Sequence, residues 1–350
     1  MKILHVLSSN KFSGAENVVC QIVEMFRNEK KIEMIYCSPN GEIANVLKQN
    51  NVDYIPVSKM NVKSLKKVIS DVKPDIIHSH DMKASFISAL SCGKIKLISH
   101  IHNNAIDSRK LSLKSILYYY AASKASKIIW VSKSAYNGYY FNKSFDKKSI
   151  VLYNVIDVNN LYDKMQNDTT SYDFDIIYLG RLTYPKNPYR LIKVLSLVKK
   201  EKSDIKVAIV GTGDLEEETK KMVVDYGLSE NVSFLGFQKN PLKMLWDSKV
   251  MIMTSLWEGT PMCALEAVSL NVPIVSTPTD GLLEIVTNES IGYLSDDDSI
   301  LSQRCLEIIT NHKDKQIKVS KENNVVKNRK IIDDYKQVLL NIYEEGLKNE

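Results

Sequence analysis

Long apolar runs are missing from this 350-residue sequence. No stretch approaches the roughly 18 apolar residues of a membrane-spanning helix, and the run at Met1–Leu7 is too short for a signal peptide. The five cysteines are widely spaced and form no Cys-x-x-Cys pair. Their pattern excludes a disulfide framework and indicates a reducing cytoplasm. No G-x-G-x-x-G loop occurs, which excludes a nicotinamide-type dinucleotide fingerprint.

Basic residues are concentrated in the first half of the chain. Residues 1–170 contain 24 Lys and Arg against 14 Asp and Glu, a net charge of +10, whereas the remainder carries −4. Between Arg109 and Lys148, nine basic residues accompany one acid, Asp146, and alternate with aromatic residues. Such a stretch is typical of a surface that meets an anionic membrane. A solvated lysine-rich face has the same composition. No nucleic-acid-binding motif is present, so we expect no nucleic acid partner.

Short apolar runs alternate with amphipathic stretches along the sequence, which predicts repeated strand–helix–strand units. Strands are expected at residues 2–7, 33–37, 75–78, 96–101 and 127–131, and again at 174–179, 206–210, 232–235, 250–253 and 274–276. Such units form parallel sheets with helices on both faces. The polar segment Asn159–Asp173 between the two series is interpreted as a linker. The sequence therefore predicts two doubly wound α/β domains, at residues 1–160 and 161–329, followed by an amphipathic helix at 330–350.

The segment Glu258–Glu266 is the strongest candidate for a site. It follows an apolar run and opens a helix, with Thr260 as the expected N-cap and Pro261 as the first helical residue. The backbone N–H groups from Met262 to Ala264 are then expected to lack partners within the helix, which favours an anion or a sugar hydroxyl there. An exposed turn with two helix-favouring glutamates is the alternative. A glycosidase acid–base pair would also fit the two carboxylates.

A second candidate is the loop Gly180–Tyr189, which also follows a predicted strand. Asn187 and Pro188 predict another helix start. Arg181 and Lys186 then lie near the positive end of that helix, where cations are disfavoured by roughly 0.3–1 kcal/mol. An anion between them would remove this conflict, so the loop predicts a diphosphate site formed without a metal ion. A pair of exposed surface cations is the alternative.

Four histidines bracket the ends of two predicted strands, His78 and His80 on one and His100 and His102 on the other. Residues two apart share a strand face, so the pairs invite comparison with a metal site. The two remaining histidines, His5 and His312, fall at no useful spacing for a metal-dependent hydrolase and are set aside, and we expect no metal. His78 and His100 are interpreted as core residues with satisfied hydrogen bonds. A strand-end histidine is the better candidate for a substrate contact.

Further loops after predicted strands are weaker candidates. They contain Gly14, the pair Gly211 and Gly213, the segment Gly236–Gln238, and Glu284. Glycines in such turns allow close backbone contact with a ligand, for example a nucleoside base, although they are also ordinary turn residues. Two Asp-x-Asp patterns, Asp173–Asp175 and Asp296–Asp298, match a motif that binds divalent cations for nucleotide-sugars in other folds. Neither follows a strand, so both are interpreted as solvated acids.

In combination, these motifs resemble the retaining glycosyltransferases of family 4, which have the GT-B fold. The resemblance runs from about residue 1 to 345 and rests on Ser13-Gly-Ala-Glu16, Pro74–His80, Val131-Ser132, Asn154–Asp157, the Gly180-Arg-Leu loop with its lysine, and Glu258–Glu266. Ser13 and Val155 replace glycines that are usual in the family. Neither departure removes a catalytic group.

The resemblance implies two facing Rossmann-like domains with an interdomain cleft, and a C-terminal helix that crosses back to the first domain. It implies a nucleotide-sugar donor held mainly by the second domain, an acceptor largely in the first, and no metal or other cofactor. The implied donor contacts are Arg181 and Lys186 to the diphosphate, Glu258 to the transferred sugar, Glu266 to the ribose, Met262, Cys263 and Ala264 through their amides, His102 to the sugar and phosphate, Gly14 near the diphosphate, and the backbone around Phe237 to the base.

The expected activity is transfer of a sugar from this donor to a glycan or a lipid-diphosphate-linked acceptor, in capsule, exopolysaccharide or cell-wall glycan assembly. The expected location is the cytoplasm, at the inner face of the membrane. Two alternatives remain open: a nucleotide-sugar epimerase of the same fold, and a non-catalytic partner subunit of a transferase. The presence of Glu258, Arg181 and Lys186 argues against the second.

Overall fold

A computed structural model describes residues 1–103, 106–311 and 321–345. Their contacts divide the chain into two compact units. Unit 1 comprises Met1–Asn154 together with Asp333–Glu350, and unit 2 comprises Val155–Ile332. Across the described residues, no helix is both long and apolar enough to cross a membrane.

Unit 1 is built on a sheet of seven parallel strands. They are β1 (Lys2–Val6), β2 (Glu33–Pro39), β3 (Asp53–Val57), β4 (Ile76–Ser79), β5 (Lys96–Ile101), β6 (Lys127–Trp130) and β7 (Ser149–Val151). Their order in the sheet is β3-β2-β1-β4-β5-β6-β7. The direction in which strands are added therefore reverses between β1 and β4. Ligands of doubly wound sheets bind at this reversal, outside the carboxyl ends of the strands.

Helices α1 to α6 connect these strands. They are α1 (Gly14–Phe26), α2 (Ile43–Gln49), α3 (Val62–Val72), α4 (Met82–Ser91), α5 (Leu113–Lys124) and α6 (Lys133–Asn137). Short polar side chains begin several of them. Asn61, Asp81, Ser112 and Ser132 each accept a hydrogen bond from a backbone N–H in the first turn of α3, α4, α5 and α6. These caps satisfy donors that a helix start leaves unpaired.

Unit 2 contains a second parallel sheet, of six strands. They are β8 (Ile176–Leu179), β9 (Val207–Val210), β10 (Val232–Gly236), β11 (Val250–Met253), β12 (Ile274–Ser276) and β13 (Gly292–Leu294). Their order is β10-β9-β8-β11-β12-β13, so the reversal lies between β8 and β11. All residues of β8, β9 and β11 are buried. Burial on both faces explains why these strands are continuous apolar runs.

The helices of unit 2 are α7 (Val158–Gln166), α8 (Pro188–Glu201), α9 (Glu216–Asp225), α10 (Leu242–Asp247), α11 (Met262–Ser269), α12 (Asp280–Leu283) and α13 (Asp298–Thr310). The last helix, α14 (Lys321–Glu344), ends in unit 1. There, the Tyr343 hydroxyl lies 2.9 Å from Nδ1 of His78, and Lys96 Nζ donates to the carbonyl of Ile342 at 2.5 Å. The end of α14 is thus bound to the central strands of the first sheet.

The prediction of two doubly wound parallel sheets is confirmed, whereas the predicted linker at Asn159–Asp173 is wrong over its first half. Residues 158–166 form α7, capped by Asp157, which accepts from the N–H of Asn160 at 3.1 Å. Val158, Leu161 and Met165 bury one face of this helix. That face has only these three apolar residues. The Asn and Asp residues around them obscure the helical periodicity in the sequence.

Candidate active site

The loop after β8 packs directly against the loop after β9. The Leu182 N–H donates to the carbonyl of Thr212 at 3.0 Å. A Cβ at Gly211 would come within 2.0 Å of the Gly180 carbonyl oxygen, and one at Gly213 within 2.0 Å of the Leu182 carbonyl oxygen. Only glycine permits this approach, and Gly211 also has a φ of +131°. These glycines therefore position the loop that carries Arg181.

The same loop begins α8 and contacts the loop after β11. Asn187 adopts a left-handed conformation with φ of 49°, and its side chain accepts from the N–H of Arg190 at 3.4 Å. Pro188 is the first helical residue, so the predicted helix start is confirmed. The Leu256 N–H donates to the Pro185 carbonyl at 2.8 Å. The two loops on either side of the strand reversal are thus held together by their backbones.

Lys186 and Glu258 form a buried ion pair at this point. Lys186 Nζ lies 2.5 Å from Glu258 Oε1, and the two side chains are 18% and 9% exposed. The Ser255 hydroxyl donates to the same carboxylate oxygen at 2.6 Å. Burial alone would lower the pKa of Lys186, but the Glu258 carboxylate raises it above its usual range. The lysine therefore stays charged. The sequence predicts Lys186 and Glu258 as separate contacts and gives no indication of Ser255.

Arg181 contrasts with this pair because its side chain is exposed. No ion pair within the described part of the chain involves it. Its charge nevertheless lies near enough to lower the pKa of Lys186. The Tyr178 hydroxyl donates to the Arg181 carbonyl at 3.0 Å and holds the backbone in place. The site therefore presents one uncompensated positive charge beside a neutral ion pair.

The start of α11 differs from the sequence prediction. Thr260 is not the N-cap, and Pro261 precedes the helix instead of opening it, because its ψ of 121° is extended. No side chain caps this end. The Ala264 N–H donates to the Pro261 carbonyl at 3.1 Å and is therefore not free. Of the three predicted amide donors, those of Met262 and Cys263 remain candidates for a ligand.

Two ionisable side chains on α11 are strongly shifted by burial. Burial raises the pKa of Glu266 to about 7, partly opposed by the charge of Lys164. Glu266 therefore titrates near neutral pH. Burial also raises the pKa of the Cys263 thiol to about 12, so this thiol is neutral at physiological pH.

The loop after β12 completes this edge of the sheet. A Cβ at Gly281 would come within 1.5 Å of the Gly259 carbonyl oxygen, so the loop packs tightly on the Glu258 segment. The side-chain hydroxyls of Thr183 and Thr279 are buried and have no hydrogen-bond partner among the described residues, and one carboxylate oxygen of Glu284 is in the same condition. Buried polar atoms are nearly always paired, so these three favour a polar ligand. Glu284 is a candidate contact in the sequence, whereas nothing in the sequence singles out either threonine.

Phe237 follows β10, at the same carboxyl edge. Its side chain is 54% exposed. The preceding Gly236 has φ of +62°, and its carbonyl accepts from the N–H of Gly211 at 2.8 Å. The turn that carries Phe237 is therefore linked through the β9 loop to the loop that carries Arg181.

The Asp-x-Asp patterns have structural partners. Asp173 pairs with Lys206 at the surface, but Asp175 is buried and lies 2.7 Å from Lys249 Nζ, so its interpretation as a solvated acid is wrong. In the second pattern, Asp297 caps α13 and Asp298 accepts from Arg190 Nε at 2.6 Å. The first pair of acids lies at the start of a strand and the second at the start of a helix, where basic side chains and backbone N–H groups are their partners.

In unit 1, five histidines cluster at the reversal between β1 and β4. His5 pairs in register with His78 on the neighbouring strand. Nδ1 of His5 lies 2.9 Å from Nε2 of His80, and Nδ1 of His80 lies 3.0 Å from Nε2 of His102. His100 stacks on His78 with an interplanar angle of 10°. Setting His5 aside was therefore wrong, because strand order brings distant positions together in a way that sequence spacing does not reveal.

The interpretation of His78 and His100 as satisfied core residues is also wrong. His78 uses Nδ1 with Tyr343, but its Nε2 and both nitrogens of His100 are buried without a partner among the described residues. Burial lowers the pKa of both histidines well below 6.5, so they are neutral. His312 lies outside the described residues.

The first loop of unit 1 contains Gly14, the first residue of α1. Ser13 precedes it and donates its hydroxyl to the Glu16 carboxylate at 2.5 Å. Glu16 is only 2% exposed. The serine that replaces a usual glycine thus adds a hydrogen bond at the helix start.

Comparisons with known proteins agree with this architecture. The model of the family "Glycosyltransferase Family 4" matches residues 12–160, and that of "Glycosyl transferases group 1" matches residues 163–325. The chain is a glycosyltransferase. HepE of Anabaena, solved with UDP and glucose, superposes with a TM-score of 0.77 over 99% of this chain and 100% of its own, at 19% identity. The glycosyltransferase therefore has the GT-B fold.

Two curated relatives of the glycosyltransferase are informative. An uncharacterized glycosyltransferase of Methanocaldococcus jannaschii is 32% identical over 234 residues, which cover 60% of this chain and 57% of the relative. The chain thus spans little more than half the length of that relative. An Escherichia coli enzyme named UDP-Gal:alpha-D-GlcNAc-diphosphoundecaprenol alpha-1,3-galactosyltransferase is 26% identical, with 84% of each chain covered.

Proposed function

We propose that this glycosyltransferase moves a sugar, with retention of anomeric configuration, from a nucleotide-diphosphate sugar to a lipid-diphosphate-linked glycan. The pathway would be assembly of a bacterial capsule, exopolysaccharide or cell-wall glycan. The exposed charge of Arg181 beside the neutral Lys186–Glu258 pair is the observation that carries the proposal. Two comparisons support it: the Escherichia coli relative is named as a UDP-Gal enzyme acting on a diphosphoundecaprenol-linked sugar, and HepE was solved with UDP and glucose.

The donor diphosphate binds at Arg181. Negative charge grows on the leaving phosphate as the glycosidic bond breaks, and a fixed guanidinium stabilises that charge more than the ground state. Lys186 has three N–H donors and uses one for Glu258, so the others are available to the phosphate. The backbone N–H groups of Met262 and Cys263 add donors at the start of α11.

Glu258 and Glu266 hold different parts of the donor. Glu258 accepts from Lys186 and Ser255 through one oxygen, which leaves the other for hydroxyls of the transferred sugar. Glu266 accepts from the ribose hydroxyls, and its pKa of about 7 makes this contact sensitive to pH. The backbone around Phe237 faces the base.

Unit 1 supplies two further donor contacts in this proposal, His102 to the sugar and phosphate, and the backbone at Gly14 to the diphosphate. Retention arises without an enzyme nucleophile, because the acceptor hydroxyl attacks from the face of the leaving phosphate. We expect transfer to need no metal ion and therefore to continue in a chelator such as EDTA.

The acceptor lipid requires contact with a membrane, and α5 offers a suitable surface. Leu113 and Leu117 are 73% and 37% exposed on α5, and Leu111 just before it is 62% exposed. Lys110 and Lys114 are exposed beside them. Apolar side chains interleaved with lysines bind anionic bilayers through burial and charge.

Liposome sedimentation tests the membrane contact. Binding to vesicles with phosphatidylglycerol, and not to pure phosphatidylcholine, is expected, and Leu113→Glu should abolish it. Val224→Glu is the matched control, because Val224 is 65% exposed in unit 2. Equal losses in both variants would contradict a membrane surface at α5.

The enzymatic test uses a panel of nucleotide-sugars with a lipid-diphosphate-linked acceptor. One donor should yield a glycosylated lipid whose new linkage keeps the anomeric configuration of the donor, as measured by NMR coupling constants. An epimerised sugar formed without acceptor would favour the epimerase. Full glycan assembly in cells that carry Glu258→Ala would favour the non-catalytic subunit.

A further inference from the structure

Three histidines of unit 1 form a continuous hydrogen-bonded chain. Nδ1 of His5 faces Nε2 of His80, and Nδ1 of His80 faces Nε2 of His102, at 2.9 and 3.0 Å. The end nitrogens, Nε2 of His5 and Nδ1 of His102, are buried and have no partner among the described residues. The hydrogen-bonded histidine chain therefore runs from the middle of β1 to the residue just after β5, and a ring nitrogen of His102 lies at its end.

All three rings are neutral at physiological pH. Burial lowers the pKa of His5 and of His102 to about 3 and that of His80 well below 6.5. His78 and His100 also face His80, and no acid is among the groups that shift its pKa. A neutral imidazole has one N–H donor and one acceptor nitrogen.

Neutrality couples the three tautomers. If His5 carries its proton on Nδ1, it donates to His80 Nε2. His80 must then carry its proton on Nδ1 and donate to His102 Nε2, which leaves the proton of His102 on Nδ1. If the proton of His102 is on Nε2, the same logic puts all three protons on Nε2. Any mixed arrangement places two lone pairs or two protons against each other.

A shared metal ion does not explain the same geometry. Zinc–imidazole bonds of about 2.0–2.1 Å put two tetrahedral ligand nitrogens about 3.4 Å apart, and both contacts in the chain are shorter. The other ring pairs, His78 with His80 and His100 with His102, have centroids 4.1 Å apart and are tilted by 30° and 33°. One ring nitrogen from each of His5, His78 and His80, and one from each of His80, His100 and His102, nevertheless lie within 4.8 Å of one another, so added Zn²⁺ is part of the test.

We propose that His5 and His80 are positioning residues that set the tautomer of His102, and hence whether its Nδ1 donates or accepts. The inference rests on the proposed function, in which His102 contacts the donor. Phosphate oxygens only accept hydrogen bonds, so a phosphate at Nδ1 selects the state with all three protons on Nδ1. Without this chain, His102 would divide between two tautomers, of which one repels the phosphate.

Ring ¹⁵N NMR of the unliganded protein tests the chain without reference to activity. Chemical shifts distinguish protonated from unprotonated ring nitrogens, and single-histidine variants assign the signals. His5, His80 and His102 are expected to share one tautomer. Opposite tautomers in any two of them would overturn the proposal. Broadening of the His80 or His102 signals by added Zn²⁺, with loss of the shared pattern, would overturn it in favour of a metal site.

Kinetics then test the consequence. His5→Leu breaks the chain, whereas His5→Asn retains a donor and an acceptor near the position of Nδ1. We expect kcat to fall about tenfold in His5→Leu, because the loss of one hydrogen bond raises the activation free energy by about the amount that lowers a rate tenfold. In His5→Asn, kcat should recover. The matched control is His100→Leu. His100 is as buried as His5, but among the described residues its ring nitrogens have no hydrogen-bond partner, so it lies outside the hydrogen-bonded chain.

The outcomes separate this proposal from the function on which it rests. Equal losses in His5→Leu and His100→Leu, without rescue by asparagine, would mean that the cluster only fills the core, and the proposal would fail. Full activity in His102→Ala would show that His102 does not contact the donor, so that part of the proposed function would fail. The NMR experiment would still decide whether the three histidines share one tautomer.

Discussion

Acid should destabilise unit 1 at pH values where most proteins are unaffected, because its histidines are buried as neutral rings. The pKa of His5 and of His102 is about 3 in the folded chain, whereas an exposed histidine titrates near 6.5. Below pH 6.5 the unfolded chain therefore binds protons that the folded chain does not. The stability of unit 1 is fully present above pH 6.5 and is lost progressively as the pH falls toward 3.

The size of the effect follows from this difference in proton uptake. At about pH 5.5, each of the two histidines favours unfolding by about 1.4 kcal/mol relative to about pH 8. Together they cost about 3 kcal/mol, a large part of the 5–15 kcal/mol that stabilises a typical domain. His78, His80 and His100 have pKa values lowered in the same direction, so the full loss is larger.

Urea unfolding between about pH 8 and pH 5.5 measures this loss. Trp130 is fully buried in unit 1, and replacing Trp246 and Trp257 by phenylalanine makes it the sole tryptophan reporter. The free energy of unfolding of unit 1 should fall by at least about 3 kcal/mol across this range, and the slope should be shallower in His100→Leu. A value that is constant across the range would refute the neutral burial of these rings.

Three further results are expected. Lys186→Ala should lower the free energy of unfolding of unit 2 by about 3–5 kcal/mol because it leaves Glu258 buried and unpaired, and Lys186→Met combined with Glu258→Leu should recover most of that loss in urea titrations. Nucleotide affinity should weaken as the pH falls below 7, where Glu266 protonates, and calorimetry on Glu266→Gln should show no such dependence. Gly213→Ala should weaken nucleotide binding at least tenfold, because a Cβ there meets the Leu182 carbonyl, whereas Thr212→Ala at an exposed side chain should bind normally.

Central strands were predicted well, whereas three of the four edge strands were not predicted. The run at β11 has the predicted bounds, since burial on both faces makes a strand a continuous apolar run. The strands β3, β7 and β13 were missed, and each is an edge of its sheet. Edge strands are half exposed, so β3 contains Pro56 and exposed Asp53 and lacks an apolar run. The helix α7 was missed for a related reason, because its polar face is rich in Asn and Asp.

Within the candidate site, the sequence identified the loops but not the contacts between them. The partnership of Lys186 with Glu258 joins positions 72 residues apart, which no local pattern reveals. The same holds for His5, which enters the histidine cluster only through strand order. Motif residues could therefore be assigned to the site one by one, whereas their pairing required the fold.

Calorimetry with a matched pair of ligands shows whether Arg181 binds the diphosphate of a nucleotide-sugar. The affinities for UDP and for uridine are measured on the wild type, on Arg181→Ala and on Glu266→Gln. Arg181→Ala should lower the affinity for UDP at least tenfold and leave the affinity for uridine unchanged. Glu266→Gln should lower both affinities by a similar factor. UDP affinity that is unchanged in Arg181→Ala would contradict the account.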